Sequence, residues 1–343
     1  MKVGIDSTPL TVSSGGISRY TAELQRALCS AYPDDEFVFL SDQSESGLSV
    51  FEQRWWLYGL PKRLRKMKAD LFHGTDYSVP YLPVCPTVMT IHDLSPWLDA
   101  DWHIGAERIR KRTPRLLRFG LTTMVITDCE AIRKAVIEQF ALDPETVVAV
   151  PLAAAEHFKP TPAPVSDPYI LYVGTLEPRK NLPMLIEAWR EVSAHVPVKL
   201  ILAGRRRQDC PKLAEYPGLE IRGEVPEAEL PALYSNAQAV VYPSLYEGFG
   251  LPVLEAMACG APVLTSRDPA LVELSAGAAQ HADETNRKAW VVALHKLLTH
   301  PVELAEMRER GLRRAREFSW KRTAVETAAV YAEAIERYVF RRN

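Results

Sequence analysis

Residues 239 to 255 read AVVYPSLYEGFGLPVLE, a stretch that predicts a buried strand, a glycine-rich turn and the beginning of a helix. Two glycines flank Phe249, and Pro252 suits the first turn of a helix. Such a turn presents free backbone N–H groups and the positive end of the helix dipole to an anion. We therefore expect a phosphate-sized group to bind here. Glu247 and Glu255 bracket this position, and their carboxylates can accept hydrogen bonds from sugar and ribose hydroxyls.

The longer run from 247 to 263, EGFGLPVLEAMACGAPV, resembles the E-x7-E signature of the retaining glycosyltransferases of family 4, also called group 1. The resemblance implies an α/β protein of GT-B architecture, in which the active site lies in the cleft between two Rossmann-like domains. It also implies that a hexose moves from a nucleoside-diphosphate sugar to an acceptor hydroxyl, without a metal or another cofactor. Glu247 is then a catalytic residue at the sugar, and the donor-binding residues of this motif are Phe249, Gly250, Leu251 and Glu255.

The composition is that of a globular protein large enough for two domains. The chain has 343 residues, of which 47% are hydrophobic, and its formal net charge of −2 gives no general attraction to nucleic acid. The five cysteines are scattered without a C-x-x-C pair, which favours reduced thiols in a cytosolic protein and disfavours structural zinc. We find neither a signal-peptide pattern nor a run of roughly 20 apolar residues. We therefore expect a cytoplasmic protein, at most in contact with the inner face of the membrane.

Short apolar runs alternate with helical patterns, as in a doubly wound, mostly parallel sheet. We predict strands at 1–6, 36–40, 70–73, 87–91, 122–127, 146–150, 169–173, 199–203, 219–222, 239–242 and 262–265. A polar, proline-containing stretch from 151 to 168 is typical of a linker. We predict an acceptor-binding Rossmann-like domain at 1–160 and a nucleotide-sugar-binding one at 161–318. The resemblance implies that the last helix, within 319–343, crosses back to the first domain.

A second motif, GTLEPRKN at residues 174 to 181, follows a predicted strand and resembles the diphosphate loop of the same family. A departing nucleoside diphosphate gains negative charge, so the reaction requires cations beside it. Arginine offers planar two-point contacts to a phosphate, and lysine offers a compact charge. We therefore expect Arg179 and Lys180 to be catalytic residues that stabilise the leaving group.

Glycines also follow other predicted strands. Gly15 and Gly16 lie in SSGGISRY, residues 13 to 20, where the backbone can approach a ligand. The run lacks the full G-x-G-x-x-G spacing, which disfavours a dehydrogenase. The resemblance places Gly15 and Gly16 at the diphosphate and the acceptor. Gly204 and Val225 follow strands at the expected edge of the cleft, and the resemblance puts the segment 223 to 226 beside the nucleotide base, whereas the arginines at 205 to 207 are typical of a solvated surface.

Two histidines end predicted strands. His92 follows the strand at 87–91, and ligands bind at the carboxyl ends of strands in open α/β sheets. It matches the histidine that the family places against the donor sugar, where a neutral imidazole can hydrogen-bond a hydroxyl. We therefore count His92 among the catalytic residues. His73 and Arg19 are candidates for acceptor binding, with a structural histidine and a surface arginine as the alternatives.

Two further patterns leave alternatives open. Asp99 and Asp101 form D-x-D, which binds a metal–diphosphate in other glycosyltransferases, but the resemblance implies no metal here. Basic clusters at 62–68 and 108–118, with tryptophans near the first, are typical either of solvated helix faces or of a surface that contacts an anionic membrane.

The second motif resembles members that build O-antigen, capsule or exopolysaccharide, often as mannosyl- or rhamnosyltransferases. We therefore expect a GDP-sugar donor, with GDP-mannose favoured, and a saccharide or lipid-linked acceptor. A sugar-nucleotide epimerase of the same fold stays open as an alternative, and it would act without an acceptor. A non-catalytic nucleotide-binding component of a polysaccharide assembly complex is the other alternative, although the intact set of charged motif residues argues against it.

Overall fold

The computed structural model describes residues 1–12, 15–43, 49–99, 102, 106–161 and 167–340. The chain divides into two compact units. Unit 1 comprises Met1–Leu152 and Ser319–Asn343, and unit 2 comprises Ala153–Phe318. The predicted division at residue 160 therefore falls inside unit 2. The physical reason is that Phe158 is buried and packs its ring edge-on against Tyr234, with ring centroids 6.0 Å apart.

Unit 1 contains a parallel sheet whose strands run in the order β2-β1-β3-β4-β5-β6. Its strands are β1 (Lys2–Asp6), β2 (Glu36–Leu40), β3 (Leu71–Gly74), β4 (Thr87–Ile91), β5 (Met124–Thr127) and β6 (Val147–Ala149). Its helices are α1 (Pro9–Val12), α2 (Gly16–Ala31), α3 (Leu60–Met67), α4 (Ser95–Leu98), α5 (Glu107–Arg118) and α6 (Glu130–Phe140), with a π-helical turn at Trp55–Gly59. Residues of β3, β4 and β5 are buried throughout, as expected for parallel strands covered on both faces.

Unit 2 repeats this design with the strand order β12-β11-β10-β7-β8-β9, again parallel. Its strands are β7 (Tyr169–Val173), β8 (Lys199–Ala203), β9 (Leu219–Gly223), β10 (Ala239–Tyr242), β11 (Val263–Ser266) and β12 (Gln280–Ala282). Its helices are α7 (Leu182–Ser193), α8 (Leu230–Ser235), α9 (Leu251–Ala258), α10 (Pro269–Ser275), α11 (Arg287–Thr299) and α12 (Pro301–Ala315). The order places β7 next to β10 and β8, so the loops after these three strands are neighbours.

The last helix, α13 (Trp320–Phe340), belongs to unit 1, where it packs against α2, β3, β4 and β5. Tyr331 and Ala334 on this helix are fully buried. The Thr323 hydroxyl donates to the carbonyl of Pro151 at 2.7 Å and ties the helix to the end of the first segment of unit 1.

All the predicted strands are found, within two residues at each end. The sequence did not predict β12, whose residues Gln-His-Ala provide no apolar run. Within the described ranges, no helix combines the length and the apolar character that a membrane crossing requires.

Candidate active site

The two motifs of unit 2 meet at the carboxyl ends of β7 and β10. The GTLEPRKN loop follows β7 and ends in a short 3-10 turn, Pro178–Lys180, while Glu247 follows β10 by a few residues. The Leu245 N–H donates to the carbonyl of Arg179 at 2.9 Å, which ties the two loops together. Side chains of the GTLEPRKN loop and Glu247, which are far apart in the sequence, therefore lie together at the ends of β7 and β10.

Arg179, Lys180 and Glu247 form a buried cluster of charges, each at most 9% exposed. Lys180 Nζ donates to Glu247 Oε1 and also to the Tyr242 hydroxyl at 3.1 Å. Arg179 Nη1 donates to the Tyr246 carbonyl at 2.6 Å and to Glu247 Oε2 at 3.4 Å. Burial disfavours the charged carboxylate, but the two cations hold the pKa of Glu247 below its usual range. Because these buried charges compensate one another away from water, removing one member weakens the compensation of those that remain.

Glu177 and Arg207 complete this cluster and were missed as site residues in the sequence. Glu177, 6% exposed, accepts from Arg179 Nη2 at 2.9 Å and from Arg207 Nη1 at 2.6 Å. Arg205 and Arg206 are exposed, as predicted, but Arg207 is not a solvated surface residue. The prediction was wrong for Arg207 because its partner Glu177 lies on another loop. The signal that could have identified Glu177 is its place beside the cations of the quoted motif.

Glycine, as predicted, opens α9. Gly250 has a φ of +96°, and a Cβ there would lie 2.4 Å from a side-chain carbon of Leu271. The side chains of Phe249 and Leu251 are buried. Any contact of these residues with a donor would therefore be made by backbone groups. Asp268 was missed in the sequence: its carboxylate accepts from the Glu247 N–H at 3.2 Å and caps α10.

The other donor-binding candidates of unit 2 have packing roles of their own. Glu255 is 1% exposed and accepts from the Tyr234 hydroxyl at 3.0 Å, so its predicted contact with a ribose stays a prediction. Gly204 has a φ of +149°, and a Cβ there would lie 1.9 Å from the Gly174 carbonyl oxygen. Close approach of two loops explains this glycine. Val225 is half-buried just after β9.

His92 lies at the carboxyl end of β4, as predicted. Residue Ile91 of β4 is in register with Thr127 of β5, so His92 lies beside Asp128. His92 Nδ1 faces Asp128 Oδ2 at 2.8 Å, and Nε2 faces the Thr75 carbonyl oxygen at 2.9 Å. Since both partners are acceptors, both ring nitrogens donate. Burial disfavours the charged ring, but the Asp128 carboxylate raises the pKa of His92 to about 9.

The expectation of a neutral His92 with a nitrogen free for a sugar hydroxyl is therefore wrong in this structure. The sequence missed Asp128, which no local pattern connects with His92.

His73 is not available to an acceptor. Its side chain is fully buried, with Nδ1 2.7 Å from the Tyr331 hydroxyl and Nε2 2.8 Å from Thr90 Oγ1. Burial and the neighbouring His92 lower the pKa of His73 to about 3. The prediction of acceptor binding is wrong because the side chain points to α13, and the structural alternative is correct.

The remaining candidates of unit 1 lie at the start of α2. Gly15 and Gly16 are exposed, and no atom lies within 4 Å of a Cβ built on Gly16, so packing does not require glycine there. Arg19 is half-buried on the same helix. Of the D-x-D pattern, only Asp99 is described, because 100 and 101 lie outside the described residues. Within the described part, no three His, Cys, Asp or Glu side chains are grouped so that they could hold a metal ion.

Known proteins resemble this chain in sequence and in fold. Residues 154–317, nearly the whole of unit 2, match the family described as glycosyl transferases group 1. O-antigen chain mannosyltransferase B of Escherichia coli is 30% identical, over 96% of this chain and 99% of its own length. Sucrose-phosphate synthase from Thermosynechococcus elongatus has a TM-score of 0.75 at 18% identity and covers 97% of this chain and 98% of its own. HepE from Anabaena, solved with UDP and glucose, has a TM-score of 0.74 at 16% identity, with 97% and 100% covered.

Proposed function

The chain belongs to the group 1 glycosyltransferases and has their GT-B fold, and from this premise we propose that it transfers mannose or rhamnose from a nucleoside-diphosphate sugar to a glycan or lipid-linked saccharide. A GDP-sugar is the favoured donor, and the synthesis of a surface polysaccharide is the favoured context. The full-length similarity to an O-antigen mannosyltransferase supports mannose and the polysaccharide context. The GDP-sugar follows from the resemblance of the GTLEPRKN motif to the family. Family membership makes the protein a glycosyltransferase and sets aside the epimerase and the non-catalytic component.

The observation that carries this proposal is the convergence of Arg179 and Lys180 on Glu247 at the strand ends of unit 2. A nucleoside diphosphate gains negative charge as its bond to the sugar breaks. Arg179 would contact the phosphate oxygens through its planar guanidinium, and Lys180 would add a compact charge. Because both cations are buried, their attraction for the departing phosphate is stronger than in water. By analogy with oxyanion sites, losing one such donor costs about 3 to 4 kcal/mol of transition-state stabilisation.

The proposed reaction breaks the bond between the anomeric carbon of the sugar and the phosphate oxygen. The acceptor hydroxyl oxygen forms the new bond on the same face, and an oxygen of the leaving phosphate takes the hydroxyl proton. Glu247 would bind sugar hydroxyls beside the cations, which fix both of its carboxylate oxygens. Retention of configuration comes from the resemblance to the family, as does the predicted contact of Glu255 with the ribose.

The donor can be identified without knowing the acceptor. We would measure the melting temperature of the purified protein with GDP, UDP, ADP and dTDP, and then with their sugars. GDP and GDP-mannose are expected to raise the melting temperature most. A larger effect of UDP or dTDP would contradict the choice of base, and no effect of any of the four would contradict the proposed function.

Transfer itself requires an acceptor fraction. We would incubate the protein with labelled GDP-mannose and a bacterial lipid extract that contains polyprenol-linked saccharides, and determine the anomeric configuration of the product by NMR. An α-linked product from the α-linked donor is expected. A β-linked product would contradict retention.

A lipid-linked acceptor would require contact with a membrane, and we propose the basic surface of unit 1 as the contact. We define the basic surface by its exposed cations: Lys62, Arg65, Lys66, Lys68, Arg108, Lys111, Arg115 and Arg118. Arg112 lies over the ring of Trp56 at 5.1 Å, so α5 lies next to the turn that leads into α3. Tyr58 is 43% exposed and Phe119 is 71% exposed, and aromatic residues beside cations suit the interface of an anionic bilayer.

The membrane contact is tested by sedimentation with vesicles of phosphatidylglycerol and phosphatidylcholine. Binding to the mixed vesicles, reduced by salt and by replacing Arg65, Lys66, Arg115 and Arg118 with glutamine, is expected. Replacing the exposed Arg313 and Arg316 of unit 2 is the control and should leave the binding to vesicles unchanged. Equal binding to pure phosphatidylcholine would contradict this contact.

A further inference from the structure

The loops after β7 and β8 are held together by their main chains. The Leu176 N–H donates to the Arg205 carbonyl at 2.9 Å, and the Arg207 N–H donates to the Leu176 carbonyl at 3.1 Å. These bonds continue the parallel pairing of the two strands beyond their ends. Because the backbone is fixed here, the side chain of Arg207 starts next to Glu177.

Asp209 orients the Arg207 guanidinium. Nε and Nη2 of Arg207 donate to the two carboxylate oxygens of Asp209 at 2.5 and 2.6 Å. This two-point contact occupies one edge of the planar group. The remaining nitrogen, Nη1, donates to Glu177 Oε2 at 2.6 Å. Asp209, Arg207 and Glu177 thus form a row of alternating negative and positive charges, and Glu177 is its buried end.

Glu177 in turn holds Arg179. Its other oxygen, Oε1, accepts from Arg179 Nε at 3.2 Å and Nη2 at 2.9 Å. Arg179 Nη1 donates to the Tyr246 carbonyl at 2.6 Å. The plane of the Arg179 guanidinium is therefore held on two sides, and its orientation depends on where Glu177 lies.

We propose that Arg207 is a positioning residue for the transfer reaction, which holds the Glu177 carboxylate in place so that Arg179 keeps the orientation that receives the diphosphate. This inference rests on the proposed function, in which Arg179 is the cation at the leaving group. Without Arg207, the buried oxygen Oε2 of Glu177 loses the partner that the structure gives it. Arg179 is the nearest remaining cation, and Glu177 would then compete with the diphosphate for it. A lysine has one charged nitrogen in place of the planar fork and cannot reproduce the contacts on two edges.

The test compares three variants of the full-length protein: Arg207→Ala, Arg207→Lys and, as the matched control, Arg206→Ala. Arg206 lies in the same loop but is exposed, and its Nη2 lies 3.5 Å from the Pro211 carbonyl oxygen. The probe is the nucleoside diphosphate, among GDP, UDP, ADP and dTDP, that raises the melting temperature of the wild-type protein most. Its dissociation constant is measured by calorimetry. We expect Arg207→Ala to weaken binding about tenfold, Arg207→Lys to weaken it less, and Arg206→Ala to leave it unchanged.

A general loss of structure would also weaken binding, so the decisive measurement is made in the Arg179→Ala background. If Arg207 acts through Arg179, adding Arg207→Ala there changes the affinity by less than about twofold, because coupled sites are non-additive. The same tenfold loss in that background would overturn the inference, and so would wild-type affinity in Arg207→Ala. Should Arg207→Ala fail to fold, Arg207→Lys takes its place, and unchanged affinity in that variant would overturn the inference.

The proposed function fails in a different way. If Arg179→Ala and Lys180→Ala bind the diphosphate as the wild type does, the site assignment itself is wrong, and the inference about Arg207 falls with it. If those two variants bind the diphosphate more weakly and only Arg207→Ala keeps the wild-type affinity, the proposed function stands and the positioning role alone is overturned.

Discussion

Asp128 Oδ2 accepts a hydrogen bond from Nδ1 of His92 across 2.8 Å, and the second ring nitrogen of His92 faces a carbonyl oxygen at 2.9 Å. The two side chains follow neighbouring strands, and they meet because those strands pair in register. A ring held between two acceptors carries both protons. The histidine that the family resemblance assigns to the donor sugar is thus a buried cation, tied to a carboxylate of its own unit.

This pair predicts a pH dependence. The pKa of His92 is raised to about 9, against an ordinary value of 6.5, so the pair stabilises the fold fully below pH 6.5 and less as the pH rises through 9. Because burial also raises the pKa of the Asp128 carboxyl, the net contribution of the pair is smaller than the shift of His92 alone would give. Asp128→Asn should lose most of it at pH 7 and should differ little from the wild type at pH 10. Denaturant unfolding at several pH values, with NMR of the ring nitrogens, measures both effects, and a wild-type ring that titrates near 6.5 would contradict the prediction.

The cluster of unit 2 predicts linked losses of activity and stability. Lys180→Ala and Glu247→Ala should each abolish transfer, because each removes a charge that the proposed reaction uses. Each should also destabilise the fold by about 3 to 5 kcal/mol, since Glu247→Ala leaves the buried Lys180 without its carboxylate and Lys180→Ala leaves Glu247 the longer ion pair to Arg179, at 3.4 Å. The double variant Lys180→Met, Glu247→Leu removes both charges and should recover much of the stability but no transfer. Unfolding free energies and the transfer assay test this, and wild-type turnover in either single variant would refute the site assignment.

We expect a large loss of stability when one methyl group is added at Gly204. A Cβ at this position would lie 1.9 Å from the Gly174 carbonyl oxygen, which belongs to backbone that cannot move easily. Gly204→Ala should destabilise unit 2 by about 2 to 4 kcal/mol. Gly277→Ala is the matched control. The φ of Gly277 is also positive, at +83°, but no atom lies within 4 Å of a Cβ built there, so we expect a destabilisation of about 1 kcal/mol. Equal losses in the two variants would show that close approach of the loops is not the reason for Gly204.

The structural role of His73 can be tested through its hydrogen bond with Tyr331. Tyr331→Phe removes the hydroxyl 2.7 Å from His73 Nδ1 and leaves a buried nitrogen without that partner. The expected cost is about 1 to 3 kcal/mol of unfolding free energy, with no change in nucleotide affinity. Tyr58→Phe, at an exposed tyrosine, is the control and should cost nothing measurable. If Tyr331→Phe matched that control, the buried hydrogen bond would not hold α13 to the sheet as described.

The buried Asp6 should make the stability of the fold depend on pH in another way than His92 does. Burial raises the pKa of Asp6 to about 6, against an ordinary value of 3.8. An acid with a raised pKa disfavours the folded state as it ionises, so its cost appears as the pH rises from about 4 to 6. Relative to Asp6→Asn, which keeps an acceptor for the Thr8 donors, the wild type should lose up to about 3 kcal/mol over this range. Unfolding measured from pH 4.5 to 7.5 tests this, and a relative gain by the wild type would contradict it.

Much of the fold could be predicted because buried parallel strands appear in the sequence as continuous apolar runs. For the same reason the strand β12 was not predicted, since two of its three residues are polar. The cations of the GTLEPRKN loop and Glu247 were also accessible to prediction, because the chemistry of a diphosphate demands such residues beside a strand end. The adjacency of β7 and β10 then brings them together.

The amino-acid sequence by itself determined which residue types follow which strands, and hence the two sheets and the candidates at their ends. Only the tertiary structure decided the charge and exposure of those candidates. His92 is paired with Asp128, Glu177 with Arg207, and His73 is enclosed by α13. The physical reason is that the pKa and the accessibility of a side chain depend on the groups around it in space. Those groups come from strands and helices far away in the chain, which no local pattern identifies.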